Sequence, residues 1–262
     1  MRKAIFTIKI GTNPIWDLCI DSQIRYCNKY NIDYITIDQK QINWPFGPNP
    51  TANFYFEKLQ AVSIFNTRKY DQVLYLDSDI LITPEAINIF NEYPDPDLYY
   101  GFDENRTVGI QGPTMYGGTA DIMDRDPYVI RTISNRNIYW MKNIYSKYIY
   151  FNMGVMLLGV NSVPWMFNVT QLLSVKDYPN IYDFNDQTYF NVLIQKYSKF
   201  KCMDYNFNRM HLGRRDHENE RYKANFIHYA GPCLYGIEGE YTEQGKLNTV
   251  IKDYEYFFGA RT

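Results

Sequence analysis

The opening of the chain alternates between two patterns, and this alternation limits the possible fold more than any other feature. Residues 3–11 (KAIFTIKIG), 32–38 (IDYITID) and 71–82 (DQVLYLDSDILI) are short apolar runs of strand length. Between the first two lies IWDLCIDSQIRYCNKYN. Its Ile15, Leu18, Cys19, Tyr26, Cys27 and Tyr30 fall on one helical stripe, with Ile24 off that face. Between the second and third, a Pro/Gly loop (QINWPFGPNPT) leads into a second helical stretch, ANFYFEKLQAVSIFNTRKY. Strand, helix, strand, helix, strand predicts an α/β fold. Its doubly wound sheet carries helices on both faces and binds ligands outside the carboxyl ends of its strands.

The pattern weakens over residues 93–143, where YGFDEN and GPTMYGGTADIMDRDPY read as loops. It returns with YIYFNMGVMLLGV, a strand interrupted at Asn152 and Gly154. PWMFNVTQLLSV and DQTYFNVLIQKY read as helices, and NFIHYAG as a short strand. No repeat, low-complexity run or linker divides the chain. Residues 1–262 are therefore expected to form one domain.

Composition excludes several classes. Apolar content of 45% and charged content of 21% are those of a soluble globular chain. A net charge of −2 gives no attraction to nucleic acid. The aromatic share is 18%, with 26 tyrosines, which fits an aromatic core with polar tips reaching water. Cys19, Cys27, Cys202 and Cys233 show no C-x-x-C spacing, so reduced structural thiols are expected rather than a zinc site or redox pair. Lys9 interrupts the apolar N-terminus too early for a signal peptide, and no run approaches the length of a transmembrane segment. The expected location is cytoplasmic, and the sequon at Asn168 is then accidental.

The third strand carries two carboxylates, in YLDSDILI. In an extended chain, residues two apart share a face, so Asp77 and Asp79 project together and Ser78 away. They repel each other unless solvent or a cation relieves them. Helix capping does not need them, because Thr83 as N-cap with Pro84 and Glu85 can open the next helix. Two hard oxygen ligands at the carboxyl end of a central strand suit Mg²⁺ or Mn²⁺, with positions left open for phosphate oxygens.

Five stretches in this order resemble glycosyltransferases of the GT-A type: FYFEKLQAVSIF, YLDSDILI, FNMGVMLL, NDQTYFNVL and FIHYAGPC. Their spacing is most similar to the xyloglucan xylosyltransferase and galactomannan galactosyltransferase family. It is similar at greater distance to the family of glycogenin and lipooligosaccharide galactosyltransferases. The resemblance runs roughly from Lys3 to Phe258. It implies a single GT-A domain with a nucleotide-binding half over 1–92 and a donor-sugar and acceptor half over 93–262, a nucleotide-sugar donor, a glycan or glycoconjugate acceptor, and Mn²⁺ or Mg²⁺ held by Asp77, Asp79 and His228.

The resemblance also assigns the remaining roles. Lys58 would reach phosphate or donor sugar, where its bland role is to snorkel on an amphipathic helix. Asn152 and Gly154 would meet sugar hydroxyls, or simply form a bulge. Asp186 would bind the donor sugar and Gln187 would lie near the anomeric carbon, although both could merely begin a helix. Asp183 is a reserve for Asp186. Ile8, Ile10, Gly11 and Thr12 end the first strand, where base and ribose should lie; Ser78 and Gly231 complete the donor set. His211 and His217 sit in a charged stretch read as a solvated loop. The glycogenin-like group has a lysine shortly beyond the glycine, where this chain has Pro232 and Cys233.

The implied reaction moves a hexose or pentose from a UDP-sugar, or a GDP-sugar, to an acceptor hydroxyl with retention. Gln187 is a poor base, which fits retention; Asp186 or Asp183 facing the acceptor would give inversion. Two other classes share parts of the pattern. A metal-dependent nucleotidyltransferase or phosphohydrolase also uses paired aspartates, but the sequence lacks a glycine-rich phosphate loop. A non-catalytic sugar-nucleotide-binding module would keep the fold without turnover.

Overall fold

The computed structural model describes residues 1–42, 52–103, 151–163, 166, 186–210, 218–230 and 242–260. The expectations for the 104–150 loops, the helix at 164–175 beyond Met166, Asp183, His211, His217, Gly231, Pro232 and Cys233 lie outside these residues.

The main sheet has six strands. β1 (Lys3–Ile8), β2 (Asp33–Ile37), β3 (Gln72–Leu76), β5 (Tyr99–Asp103), β6 (Phe151–Gly159) and β7 (Phe200–Cys202) lie in the order β2-β1-β3-β6-β5-β7. β1 is parallel to β2 and β3, whereas β6 runs antiparallel to both its neighbours, β3 and β5. The sheet is therefore mixed, with the parallel β2-β1-β3 unit that the alternating opening predicts. α1 (Pro14–Tyr30) makes the first crossover. Asn13 caps it by accepting from the Ile15 N–H at 2.9 Å, and Asn31 ends it in the left-handed region at φ 54°. The second crossover is a 3₁₀ segment, Ala52–Gln60, running into α2 (Ala61–Arg68).

Side chains alternate between the two faces of the sheet. Ala4, Phe6, Val73 and Tyr75 pack with Phe56, Leu59, Ile64 and Phe190 on one side. Ile5, Leu74, Leu76 and Leu157 pack with Tyr26, Phe90 and Phe226 on the other. The second face is closed by a small sheet in which β4 (Ile80–Ile82) pairs antiparallel with β9 (Phe226–His228), and β9 parallel with β8 (Arg209–Met210). A short α3 (Ile89–Glu92) follows β4, α4 (Asp186–Tyr197) lies behind β6, and α5 (Glu218–Arg221) precedes β9. α6 (Glu243–Phe258) joins a third cluster, in which Val250 and Tyr254 meet Ile15, Leu18, Leu81 and Ile227. Among the described residues no helix is long and apolar enough to cross a membrane.

Three local expectations fail. Residues 71–82 are not one strand: β3 ends at Leu76 and β4 starts at Ile80 in the other sheet. Thr83 caps no helix; its hydroxyl donates to the Ala224 carbonyl at 2.8 Å, and Asn88 caps α3 instead. Residues 99–103 form β5, not a loop. All five are buried, so the strand lacks the exposed alternate positions that would have revealed it.

Candidate active site

The two aspartates occupy the switch between the sheets. The chain turns at residues 77–79, with the Ile80 N–H donating to the Asp77 carbonyl at 3.2 Å. The Asp77 N–H donates to the Gly154 carbonyl at 2.8 Å, and the Asp79 carbonyl accepts from the Tyr229 N–H at 3.1 Å. From α1, the buried Gln23 amide donates to the carbonyls of Asp77 (3.2 Å) and Ile80 (2.9 Å). Asp77 and Asp79 thus converge because a turn is held from three sides, not because they share a face of an extended strand.

Register brings His228 to the same place. It pairs with Ile80 across the β4–β9 ladder. Its Nε2 lies 3.5 Å from Asp79 Oδ1 and 3.7 Å from Asp77 Oδ2. One ligand atom from each of the three residues falls within 4.8 Å of the others. Each carboxylate divides its oxygens. Asp77 turns Oδ2 to this cluster, while its Oδ1 accepts from the Tyr75 hydroxyl and lies 3.7 Å from Lys58 Nζ. Asp79 turns Oδ1 to the cluster and Oδ2 to Lys246 Nζ, at 3.1 Å. Burial raises the Asp79 carboxyl, but Lys246 and His228 outweigh it and hold the group below the usual carboxylate range.

Hydrogen-bond polarity fixes the imidazole. The Gly154 N–H, which can only donate, reaches Asn152 Oδ1 at 2.9 Å. The same oxygen accepts from Asn208 Nδ2 at 2.9 Å, so Asn208 Oδ1 is left to accept from His228 Nδ1, at 2.8 Å. With a proton on Nδ1, the ring turns Nε2 to the carboxylate cluster, so Nε2 is the atom that would ligate a metal. Gly154 leaves the room. A Cβ there would stand 2.3 Å from His228 Cε1 and 2.9 Å from Asp77 Oδ2.

The other pole lies across Lys58. This buried ammonium donates to Asp186 Oδ2 at 2.6 Å and to the Met153 carbonyl at 3.0 Å, beneath the Tyr75 ring at 4.9 Å. Burial lowers the Lys58 ammonium, but Asp186 and Asp77 outweigh it and keep it charged. Burial pushes the Asp186 carboxyl up, against the pull of Lys58. Gln187 Oε1 accepts from the Met153 N–H at 3.2 Å and lies 3.5 Å from Asn152 Nδ2. Asn191, one turn along α4, exchanges bonds with both backbone groups of Phe151, at 2.7 and 2.8 Å. These bonds hold β6 where its register breaks. Gly101 pairs with Met156 but Asp103 pairs with Phe151, so the extra residues around Asn152 and Gly154 bulge toward the site.

Comparison with known proteins decides the family. The model of glycosyl transferase family 8 matches residues 20–233. The chain belongs to this family. It is a glycosyltransferase with the GT-A fold, and of the two groups its motifs resemble, the more distant, glycogenin-like one is the one whose model fits. The solved structures agree on the fold. A glycosyltransferase involved in glycosylation of the major capsid of PBCV-1 matches with TM-score 0.59 at 13% identity, over 95% of this chain and 98% of that one. The bifunctional glycosyltransferase WbbM matches with TM-score 0.55 at 16% identity, over 95% of this chain and 49% of that one. The galactosyltransferase LgtC, in complex with donor and acceptor sugar analogs, matches with TM-score 0.53 at 14% identity, over 94% and 95% of the two chains. No curated protein sequence matches significantly.

In this glycosyltransferase, eight of the residues singled out by sequence meet in one site. Asp77, Asp79 and His228 form one pole, Lys58 and Asp186 the other, and Asn152 with Gly154 and Gln187 joins them. Ile8 ends β1, and β1 runs beside β3 with Thr7 opposite Leu76, so Ile8, Ile10, Gly11 and Thr12 flank the same edge. Gly11 has φ +105°, a conformation that favours glycine. Ser78 sits half-buried in the turn between the aspartates. Gly231 lies outside the described residues. Three further residues went unnoticed in the sequence: Tyr75, Asn208 and Lys246. Tyr75 could have been found, since it stands two residues before Asp77. Asn208 carries no local signal. Lys246 needed α6, whose Thr242 cap and Leu247, Val250 and Tyr254 spacing were legible.

Proposed function

We propose that this glycosyltransferase moves a hexose or pentose from a nucleotide-diphosphate sugar to a hydroxyl of a glycan or glycoconjugate, with retention. A UDP-sugar is favoured over a GDP-sugar as donor. One observation carries the reading: two carboxylates and an imidazole nitrogen converge within 4.8 Å at the carboxyl end of β3. Two hard oxygens, one imidazole nitrogen and the space kept by Gly154 fit Mn²⁺ or Mg²⁺. When bound there, such an ion supplies charge stabilisation for a departing diphosphate.

The chain's own residues position the donor. Ile8, Ile10, Gly11 and Thr12 supply the base and ribose side, with Ser78 and Gly231 near the diphosphate, so residues 1–92 carry most of the nucleotide contacts. Asn152 and Asp186 supply hydrogen bonds to sugar hydroxyls from the 93–262 half. Gln187 stands beside the anomeric carbon. An amide takes up no proton at neutral pH, so Gln187 orients but does not deprotonate the acceptor, in keeping with retention. Lys58 holds Asp186 in place, so its part is positioning.

The test is product analysis with UDP- and GDP-sugars and Mn²⁺. The expected product is free nucleoside diphosphate in step with sugar transfer, and Asp79→Ala should abolish it. Release of pyrophosphate or inorganic phosphate in its place would refute sugar transfer.

A further inference from the structure

Gln23 interrupts the apolar stripe of α1. Ile15, Leu18, Cys19, Tyr26 and Cys27 of that helix are buried, and Gln23 among them is 0% exposed. An amide in such a place costs free energy unless its nitrogen and its oxygen both find partners. Here both do, and no partner belongs to α1. Nε2 donates to the carbonyls of Asp77 at 3.2 Å and Ile80 at 2.9 Å, and Oε1 accepts from the Tyr34 hydroxyl at 2.7 Å.

The direction of these bonds is fixed. Carbonyls only accept, so the Gln23 nitrogen faces them and its oxygen is left for β2. Tyr34 must then donate, and burial, which pushes its hydroxyl up, keeps the proton there. Tyr34 pairs with Ile5 in the β1–β2 ladder, so the lock on Gln23 is anchored in the main sheet. The neighbouring Ser22 supplies a contrast. It is as buried, at 1% exposed, but its hydroxyl accepts from the Ile82 N–H at 2.9 Å, inside β4 and beyond the turn.

Asp77 and Ile80 are the two ends of the turn that carries both aspartates. Residues 77–79 belong to neither sheet, and the turn's own backbone bond is 3.2 Å long. The Asp77 N–H is tied to Gly154 in β6, and the Asp79 carbonyl to Tyr229 just after β9. Those ties lead to different strands, whereas Gln23 reaches both ends of the turn at once. We infer that Gln23, locked by Tyr34, is a positioning residue of the metal site: it clasps the turn and so sets the separation at which Asp77 and Asp79 offer their oxygens to a divalent cation. This rests on the metal reading above, and the experiment separates the two.

Mn²⁺ binding is measured by electron paramagnetic resonance on wild type, Gln23→Met, Tyr34→Phe and Ser22→Ala, each well below its melting temperature. Methionine keeps the length of Gln23 but donates nothing. Gln23→Met should bind Mn²⁺ roughly 10- to 100-fold more weakly, as loss of an outer partner of a metal site does. The spectrum of Mn²⁺ bound at saturation should change with the altered ligand spacing. Tyr34→Phe keeps both bonds to the turn and unlocks the amide, so its loss of affinity should be smaller and in the same direction. Ser22→Ala should melt lower and bind Mn²⁺ as wild type does. The inference falls if Gln23→Met or Tyr34→Phe binds Mn²⁺ like wild type. It falls also if Ser22→Ala loses as much affinity as Gln23→Met, since the effect would then follow stability alone. Should Gln23→Met not fold, Tyr34→Phe, which removes one oxygen, decides. Absence of Mn²⁺ binding in wild type would instead overturn the metal reading itself.

Discussion

Two buried ion pairs in this molecule look alike by burial and differ in everything else. Arg221 and Asp253 are 1% and 0% exposed, and Lys58 and Asp186 are 3% and 7% exposed. The Arg221 fork meets both Asp253 oxygens, at 2.7 and 2.5 Å. Tyr229 and Tyr222 then donate to the same two oxygens, at 2.7 and 2.9 Å. That pair is closed, and it ties α5, α6 and the end of β9 together. Lys58 and Asp186 share a single bond, with a second carboxylate, Asp77, close by. Burial raises the Asp186 carboxyl even with Lys58 beside it, so its charge is only partly compensated. Removing one partner of a closed pair strands a buried charge, while an open, partly compensated pair is the kind of perturbed group that clusters at functional sites.

Breaking each pair should separate the two roles. Asp253→Ala leaves the Arg221 guanidinium buried without its partner and should cost about 3–5 kcal/mol in urea unfolding, the largest effect expected here. Asp186→Asn keeps an acceptor for Lys58 and removes a charge that burial disfavours. It should cost under about 1.5 kcal/mol while sharply lowering turnover. Equal stability losses would erase the distinction. A smaller effect sharpens it. Asn208→Ala leaves both ion pairs intact but frees the His228 ring from the asparagine that fixes its tautomer. Mn²⁺ affinity should fall roughly 10- to 100-fold; unchanged affinity would leave Asn208 as a core residue only.

The sequence made some of this visible because certain patterns are local. Alternating strand and helix periodicity exposes β1, α1, β2 and β3, and Asp77, Asp79, Asn152 and Gly154 stand out in apolar surroundings, whereas Asp186, Gln187 and His228 are singled out by the resemblance of their motifs. What it hid depends on distance or on burial from both sides. The passage from β3 to β4 reads as one strand, because apolar runs flank the aspartates alike whichever sheet they join. β5 is buried throughout, so it shows no alternation, and its central Gly101 imitates a loop. Asn208 meets partners 20 and 56 residues away, a relation no local pattern carries. Lys58 is singled out by its motif, and the fold adds that its donors turn to Asp186 and the Met153 carbonyl.

The most direct test is the melting temperature of the wild-type protein with UDP and Mn²⁺, repeated with a chelator and with Asp79→Ala. A ligand at about 100 times its Kd stabilises by roughly 2.7 kcal/mol, a shift of several degrees for a chain of this size. The prediction is a rise with UDP and Mn²⁺ together that vanishes with chelator and in the variant. A rise that survives the chelator, or no rise with any nucleotide diphosphate, would contradict a metal–diphosphate site at Asp77, Asp79 and His228.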